Sequence, residues 1–549
     1  MINRLHFNPR IVTLIGLVAA CLSSSHADEK IWTNPERAAA EDPDFLIQGE
    51  YASKEKPAKK GKHAKLAAQV VALGEGIFDA YILEGGLPGA GWKPDKMRLK
   101  LSGKRDGDKV TFSAHEGYAA SIQNGAITIQ SKDGTTATLP RIERRSPTLG
   151  AKPPENATVL FDGSSAEHWK NGKMEDGLLV ANNTLSKKTF GDCTIHLEFR
   201  TPYKPHARGQ KRGNSGVYYG GRWETQILDS FGLSGRMNQC GGIYSIAAPQ
   251  LNMCLPPLRW QTYDVELTAA RFDADGVRTA WPRITVKLNG VTVHTDLELD
   301  KTHTTASPIS GPLKPGGMPI FLQDHQNPVH FRNIWVEEKP DPRETDDSNL
   351  PRVLVIGDSI SMNYHDAAKQ ALDGIANYHR IEGNASNVKN GVRKAPTWLG
   401  NYHEKGLHWD VIQFNHGLHD LKQKYDSKTE TWGDYSVPLE TYQQNLEKLI
   451  GILKQTDAVL IWCSTTPVPN SNKGRYARRQ GAAADFNRAA AEVIKKHPEI
   501  LVTDLYQTVD EAPAFDAWRK GRDVHFYRKE EREILGKAVA ATIRRALDE

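Results

Sequence analysis

Apolar and polar positions follow three different rhythms along this chain of 549 residues. Over residues 45–145, short segments alternate at period two (QVVALG, FDAYILEG, MRLKLSG, KVTFSA, AITIQS) and are broken by Gly, Asp and Asn, which predicts a small all-β unit. Ahead of it, residues 31–44 read as an extended leader. Over 157–338 a longer alternating stretch (TIHLEFR, GNSGVYY, WETQILD, YDVELTA, RITVKLNGVTVH, VHFRNIWVEE) turns at intervals typical of a β-sandwich. From Pro351 the rhythm changes again. Buried-type runs VLVIG, DVIQFN, AVLIWCST and ILVTDL alternate with amphipathic helices over 439–454, 481–496 and 529–547. That alternation predicts a parallel sheet with helices on both faces.

A Pro-rich segment at 146–156 and the charged run KPDPRETDDSNL mark boundaries. The expected layout is a signal peptide at 1–27, a small β accessory domain at 28–150, a β-sandwich at 151–340, a linker at 341–350 and an α/β domain at 351–549. Hydrophobic residues at 39% and charged residues at 25% fit ordinary globular protein, and a net charge of +5 gives no reason to expect nucleic acid. The basic cluster KEKPAKKGKHAK reads as a solvated loop. At the N-terminus, Arg4 and Arg10 precede an apolar run, and Ser25-His26-Ala27 has the small-residue spacing of a signal-peptidase site. Export is therefore expected, with cleavage after Ala27. Val18-Ala19-Ala20-Cys21 also resembles a lipobox, so a membrane tether is expected only if Cys21 is lipidated. Cys240 and Cys254 are candidates for a bridge across a loop, while Cys193 and Cys463 read as buried free thiols.

The sharpest chemical signal is Arg352-Val353-Leu354-Val355-Ile356-Gly357-Asp358-Ser359-Ile360. A buried parallel strand that stops at Ser359 presents the hydroxyl at the carboxyl edge of the sheet, where α/β folds bind ligands. A serine is a poor nucleophile until a base takes its proton, and Asp523-Val524-His525 supplies an imidazole and an acid. The order Ser359, Gly383, Gly417-Leu418-His419-Asp420, Asp523, His525 resembles the SGNH (GDSL-type) hydrolase family over 350–549. The resemblance implies a flavodoxin-like three-layer α/β/α fold with Ser359 as nucleophile and His525 as its base. It also implies an oxyanion hole made by the amides of Ser359 and Gly383 and a third-block asparagine side chain. No cofactor is expected for this esterase chemistry.

Two departures from that pattern matter. His419 stands where the asparagine belongs, so either an imidazole N–H or Asn415 on the same strand is the side-chain donor. The family's acid usually precedes the histidine by three positions, where this chain has Arg522. Asp523, at two positions, either orients His525 or yields that role to another carboxylate or a carbonyl. In such a run His416 and His419 are more often structural than catalytic. Thr465-Thr466-Pro467-Val468-Pro469 reads as an active-site rim loop.

In the middle stretch, Trp223-Glu224-Thr225-Gln226-Ile227-Leu228-Asp229 places Glu224 and Gln226 on one strand face and Asp229 opposite, unless a one-residue bulge brings all three together. A retaining glycosidase needs two carboxylates about 5 Å apart, and Gln226 takes the central position of such an acid strand. Leu160-Phe161-Asp162-Gly163, Gly213-Asn214-Ser215-Gly216-Val217-Tyr218, the Glu224 strand, Lys287-Leu288-Asn289-Gly290 and Gln323-Asp324-His325 together resemble the 3-keto-disaccharide hydrolase family (3-keto-glucoside lyase/hydratase domains). That resemblance implies a concanavalin-like jelly-roll sandwich and cleavage of 3-oxidised glycosides, with Glu224, Asp229 and His325 as base or acid candidates and a divalent metal as one way to polarise the ketone. Asn214 reads equally as a turn residue, and Glu224 or Gln226 as sugar-binding without chemistry.

The expectation is an exported carbohydrate-active hydrolase with a C-terminal serine esterase and a central domain acting on 3-keto-glycosides. The alternatives are an esterase carried by a carbohydrate-binding sandwich, and a surface interaction protein in which both sites have lapsed.

Overall fold

Residues 31–44 are not an extended leader. Asn34 caps the helix Pro35–Glu41 by accepting from the amides of Glu36 and Arg37, and Asp42 caps Pro43–Ile47 by accepting from Asp44. Each helix opens on proline, whose fixed φ suits the first turn and whose missing N–H costs nothing there. The first domain is therefore not all-β. In the computed structural model, which describes residues 30–53, 65–273, 275–404, 406–471 and 477–548, these helices lead into a closed eight-stranded barrel. The expected signal peptide, Cys21 and most of the basic cluster lie outside the described residues.

Strand Gly49–Ala52 pairs with both Leu66–Gly74 and Thr136–Ile142, and this closes the barrel and removes its edges. Strand Leu66–Gly74 faces two cores. Ala68, Val70 and Ala72 fill the barrel, while Val71, with Tyr81 from the next strand, packs into the hydrophobic core of the central domain. At this junction Arg212 Nε donates to Asp229 Oδ2 at 2.7 Å and Arg212 Nη1 donates to the Ala72 carbonyl at 3.2 Å.

The central domain consists of an eight-stranded and a five-stranded sheet around one core. Ile195, Leu197 and Phe199 of Cys193–Arg200 and Val217, Tyr219, Trp223 and Ile227 of the smaller sheet all belong to that core. Asn289 and Gly290 turn the hairpin between Arg283–Leu288 and Val291–Glu298 with φ of 52° and 77°, as the sequence predicts. Residues 146–151 are fastened to the larger sheet. The Gly150 amide donates to Glu198 Oε1 at 2.6 Å and Thr148 Oγ1 to Asp264 Oδ2 at 2.6 Å. The expected Cys240–Cys254 bridge is not formed: both thiols are free and buried, Cys240 Sγ meeting Tyr263 Oη and Cys254 Sγ the Leu228 carbonyl, both at 3.5 Å, while the two thiols also interact with each other. Cys193 and Cys463 are buried and free.

The C-terminal domain has a five-stranded parallel sheet in the order Asn377–Arg380, Arg352–Ile356, Val411–Phe414, Val459–Cys463, Leu501–Thr503. Its helices form two packed sets, Ser359–Ala371 with Lys529–Asp548, and Val388–Leu399 with Leu439–Leu453 and Ala482–Ile494. The segment at 341–350 is docked rather than free. Arg343 donates to the carbonyls of Leu399 and Leu407 and lies over the Trp409 ring, and Asp346 pairs with Arg352 at 2.8 Å.

Arg212 and Asp229 are both almost fully buried, so removing the guanidinium leaves an uncompensated charge. Arg212→Leu is expected to lower the unfolding free energy by about 3–5 kcal/mol in urea titrations. A loss below about 1 kcal/mol would show that the pair is not what holds this junction.

Candidate active site

Ser359 stands where strand Arg352–Ile356 ends and a 13-residue helix begins. Asp358 makes that start possible: its Oδ1 accepts the Ile360 amide at 2.8 Å, so the helix begins one residue later, on the serine. The Ser359 amide is thus one of the unpaired donors of the first turn, at the positive end of the helix. Asp358 itself is buried, and burial pushes its carboxyl up.

His525 reaches this serine from the far end of the domain. Ser359 Oγ donates to His525 Nε2 at 2.9 Å, and His525 Nδ1 donates to Asp523 Oδ1 at 2.7 Å. The spacing of two positions therefore suffices for Asp523 to orient the imidazole. The carboxylate is 55% exposed and is held by three donors. Besides Nδ1, the His525 amide donates to Oδ1 at 3.0 Å and Tyr527 Oη donates to Oδ2 at 2.9 Å. Partial burial raises the Asp523 carboxyl, but the amide, the Tyr527 hydroxyl and the imidazole together hold it below the usual carboxylate range.

The dyad is held in place by packing around it. Phe526 is fully buried against Trp518 and Phe515, and its amide donates to Asn363 Oδ1 on the nucleophile helix at 3.0 Å. Behind it, helix Lys529–Asp548 crosses Ser359–Ala371 at Gly536, where an added Cβ would lie 2.6 Å from Ala367 Cβ. Only a glycine permits so close a crossing.

The oxyanion candidates separate on geometry. Gly383 lies on an exposed loop with φ of 75°, and Arg380 ties this loop to the nucleophile helix by donating to the Gly383 carbonyl and, at 2.8 Å, to Ser361 Oγ. Asn415 is committed elsewhere: its Nδ2 donates to the Cys463 carbonyl at 2.6 Å and more distantly to Thr465 Oγ1. His419 follows strand Val411–Phe414, the neighbour of the nucleophile strand, and its Nδ1 accepts from Lys422 Nζ at 2.9 Å. His416 is interior; its Nδ1 donates to the Ser386 carbonyl at 3.2 Å. Thr465, Thr466 and Val468 are buried, so this stretch is not an exposed rim loop.

In the central domain, strands Ser215–Tyr219 and Trp223–Ile227 pair Gly216 with Gln226 and Tyr218 with Glu224. Their faces alternate. Val217, Tyr219, Trp223 and Ile227 enter the core, and Tyr218, Glu224 and Gln226 share the opposite face. There Gln226 Nε2 donates to Asn214 Oδ1 at 2.8 Å, and Gln323 Nε2 donates to Tyr218 Oη at 2.9 Å while its Oε1 has no partner among the described residues. Glu224 is buried with no cation beside it among the described residues, and burial pushes its carboxyl up to about 8 against a hydrogen bond from Tyr218. Gly216 leaves room for the Glu224 carboxyl, which an added Cβ would strike.

Other expectations fail here. The strand stops at Ile227 without a bulge, and Asp229 is turned to Arg212 instead of joining Glu224. His325 is exposed on a loop and contributes its carbonyl to Asn327. Asn214 precedes a strand rather than a turn. Among the described residues no three His, Cys, Asp or Glu side chains converge as metal ligands.

Residues 156–337 match the family model described as a 3-keto-alpha-glucoside-1,2-lyase-like domain. The central domain belongs to this family. Similar solved structures include a protein from Parabacteroides distasonis ATCC 8503 assigned as a glycosyl hydrolase, with 32% identity over 34% of this chain and 85% of that one at a TM-score of 0.32. A GDSL-like lipase from Bacteroides thetaiotaomicron VPI-5482 aligns with 13% identity over 37% of this chain and 91% of its own, at a TM-score of 0.29. The C-terminal catalytic domain of Streptococcus pneumoniae peptidoglycan O-acetyltransferase A aligns with 14% identity over 36% and 96%, at 0.25. No curated protein matches the chain. The chain is a hydrolase, joining a 3-keto-alpha-glucoside-1,2-lyase-like domain to an α/β domain that carries the Ser359–His525–Asp523 relay.

Sequence reasoning missed Tyr527, Lys422 and Arg380, although the first two lie within three residues of His525 and His419. Tyr527→Phe keeps the ring and removes one donor to Asp523. It is expected to lower kcat on a small acetyl ester roughly 3- to 10-fold with KM unchanged, as the loss of one hydrogen bond would. An unaltered kcat would mean that the hydroxyl does not hold the carboxylate.

Proposed function

We propose that this chain is an exported carbohydrate-active hydrolase whose C-terminal domain, of three-layer α/β/α plan, is a serine esterase removing acyl groups, acetyl foremost, from polysaccharide or oligosaccharide esters. The observation that carries this reading is the relay Ser359–His525–Asp523, with hydrogen bonds of 2.9 and 2.7 Å. His525 Nε2 takes the Ser359 proton as Oγ bonds to the ester carbonyl carbon, and the carbonyl electron pair moves onto oxygen. The amides of Ser359 and Gly383 and the side chain of His419 receive that oxyanion. Collapse breaks the bond to the sugar oxygen, which takes the proton from His525. Water, deprotonated by His525, then attacks the acyl-enzyme and releases the acid and the serine. Asp523 holds Nδ1 and stabilises the imidazolium throughout.

Covalent labelling by a fluorophosphonate and turnover of an acetyl ester test this directly. Ser359→Ala is expected to abolish labelling and to lower kcat by on the order of 10⁴-fold or more. Equal activity in wild type and variant would end the assignment.

For the central domain, a concanavalin-like sandwich, the reading is cleavage of 3-keto-glycosides. A C3 ketone acidifies the C2 proton, so a base that removes it expels the C1 substituent by elimination, without an oxocarbenium route. Glu224 is the base in this reading, with Tyr218, Gln226, Asn214 and Gln323 binding the sugar. Its carboxyl, pushed up to about 8 by burial, is mostly protonated at pH 7 and becomes the active carboxylate as pH rises. Turnover of a 3-keto-glucoside by the full chain is therefore expected to climb tenfold per pH unit below about 8 and to level above it, and Glu224→Gln to abolish it. A second reading, an esterase carried by a sugar-binding sandwich, is favoured by the fact that of the two candidate carboxylates only Glu224 stands on this face, Asp229 being turned to Arg212. Binding of the keto-sugar without turnover at any pH would decide for it.

A further inference from the structure

An asparagine amide always presents its hydrogens, but a neutral histidine is a donor on one ring nitrogen and an acceptor on the other. His419 can take the asparagine's place at an oxyanion only if its proton is on the nitrogen facing the reacting carbonyl. Lys422 bears on that choice. Its ammonium group has three donors and no acceptor, and Nζ lies 2.9 Å from His419 Nδ1. Nδ1 must therefore supply its lone pair, and the ring proton of neutral His419 is confined to Nε2. The alternative donor, Asn415, just past the end of strand Val411–Phe414, spends its amide on the Cys463 carbonyl.

The surroundings keep the ring neutral. Burial, followed by the charges of Lys422 and Arg478 and weaker effects of His416 and His525, pushes His419 down to about 4. Arg478, whose Nε donates to the Leu418 carbonyl at 3.1 Å, fixes the backbone one residue before His419.

We propose that Lys422 is a positioning residue that locks His419 as an Nε2–H donor to the oxyanion, so that a lysine–histidine pair does the work of a single asparagine. The proposal rests on the esterase reading of the C-terminal domain. The oxyanion exists only after nucleophilic attack, so the lock acts on kcat and not on ground-state binding.

A double-mutant cycle on the full chain tests this with a small acetyl ester. Lys422→Met is expected to lower kcat about 10-fold with KM unchanged, since part and not all of one oxyanion donor is lost. Lys422→Arg, which also donates, restores most of it. In a His419→Asn background, compared with the activity of that single variant, Lys422→Met costs nothing further. Two-bond ¹H–¹⁵N spectra of histidine-labelled protein should place the His419 proton on Nε2 in the wild type and show tautomer exchange in Lys422→Met. The proposal is overturned if Lys422→Met costs the same factor with Asn at position 419, or if the wild-type proton is on Nδ1. An inactive wild type would refute the esterase reading by itself, and the spectra would still report the tautomer.

Discussion

The hydrogen bond from Ser359 to His525 joins groups 166 residues apart, and it cannot gather them by itself. Such a bond contributes about 0.5–1.5 kcal/mol net, far less than the entropy of ordering the segments it joins. Apolar burial does the gathering. Helix Lys529–Asp548 is drawn against the nucleophile helix by Leu535, Val539, Ala540 and Ile543, and the contact closes tightly only because Gly536 has no side chain to keep Ala367 away. Phe526, sunk beside Trp518, then fixes the residue next to it. The imidazole and its carboxylate remain partly in water, with Tyr527 exposed beside them, while Phe526 and Trp518 beneath them are dry.

The central domain meets a related constraint in two ways. A carboxylate taken out of water must either acquire a cation or give up its charge. Asp229 takes the first course with Arg212, and its contribution is to the joint with the barrel. Glu224, five residues earlier, takes the second, on a face lined by carboxamides and a phenol. Two acids of one short segment thus part company, and the chemistry left to the domain follows from which of them stays unpaired.

The sequence made much of this legible and left specific things hidden. The strands around Val353, Val411 and Val459 were readable because both their faces are buried. Strand Asn377–Arg380 was not, since an edge strand reading Asn-Tyr-His-Arg has no apolar run to find. The two short opening helices left their capping asparagine, aspartate and prolines in plain view, but the apolar period was too short to weigh against an extended reading. Ser359 and His525 were found from the chemistry a serine nucleophile demands. The pairing of Asp229 with Arg212 and the partners of Asp523 and His419 depend on side-chain directions in space, which spacing along the chain does not encode. Barrel closure, likewise, is a long-range pairing between the first strand and the last.

The barrel strand that serves two cores has a consequence for how such a protein is inherited. Val71 and Tyr81 complete an interior that otherwise belongs to the following domain, so a gene fragment that carried the sandwich away without the barrel would leave that interior with an open wall. The first two domains thus share an interior, whereas the third has a core of its own and meets the second through surface pairs such as Lys394 with Asp296.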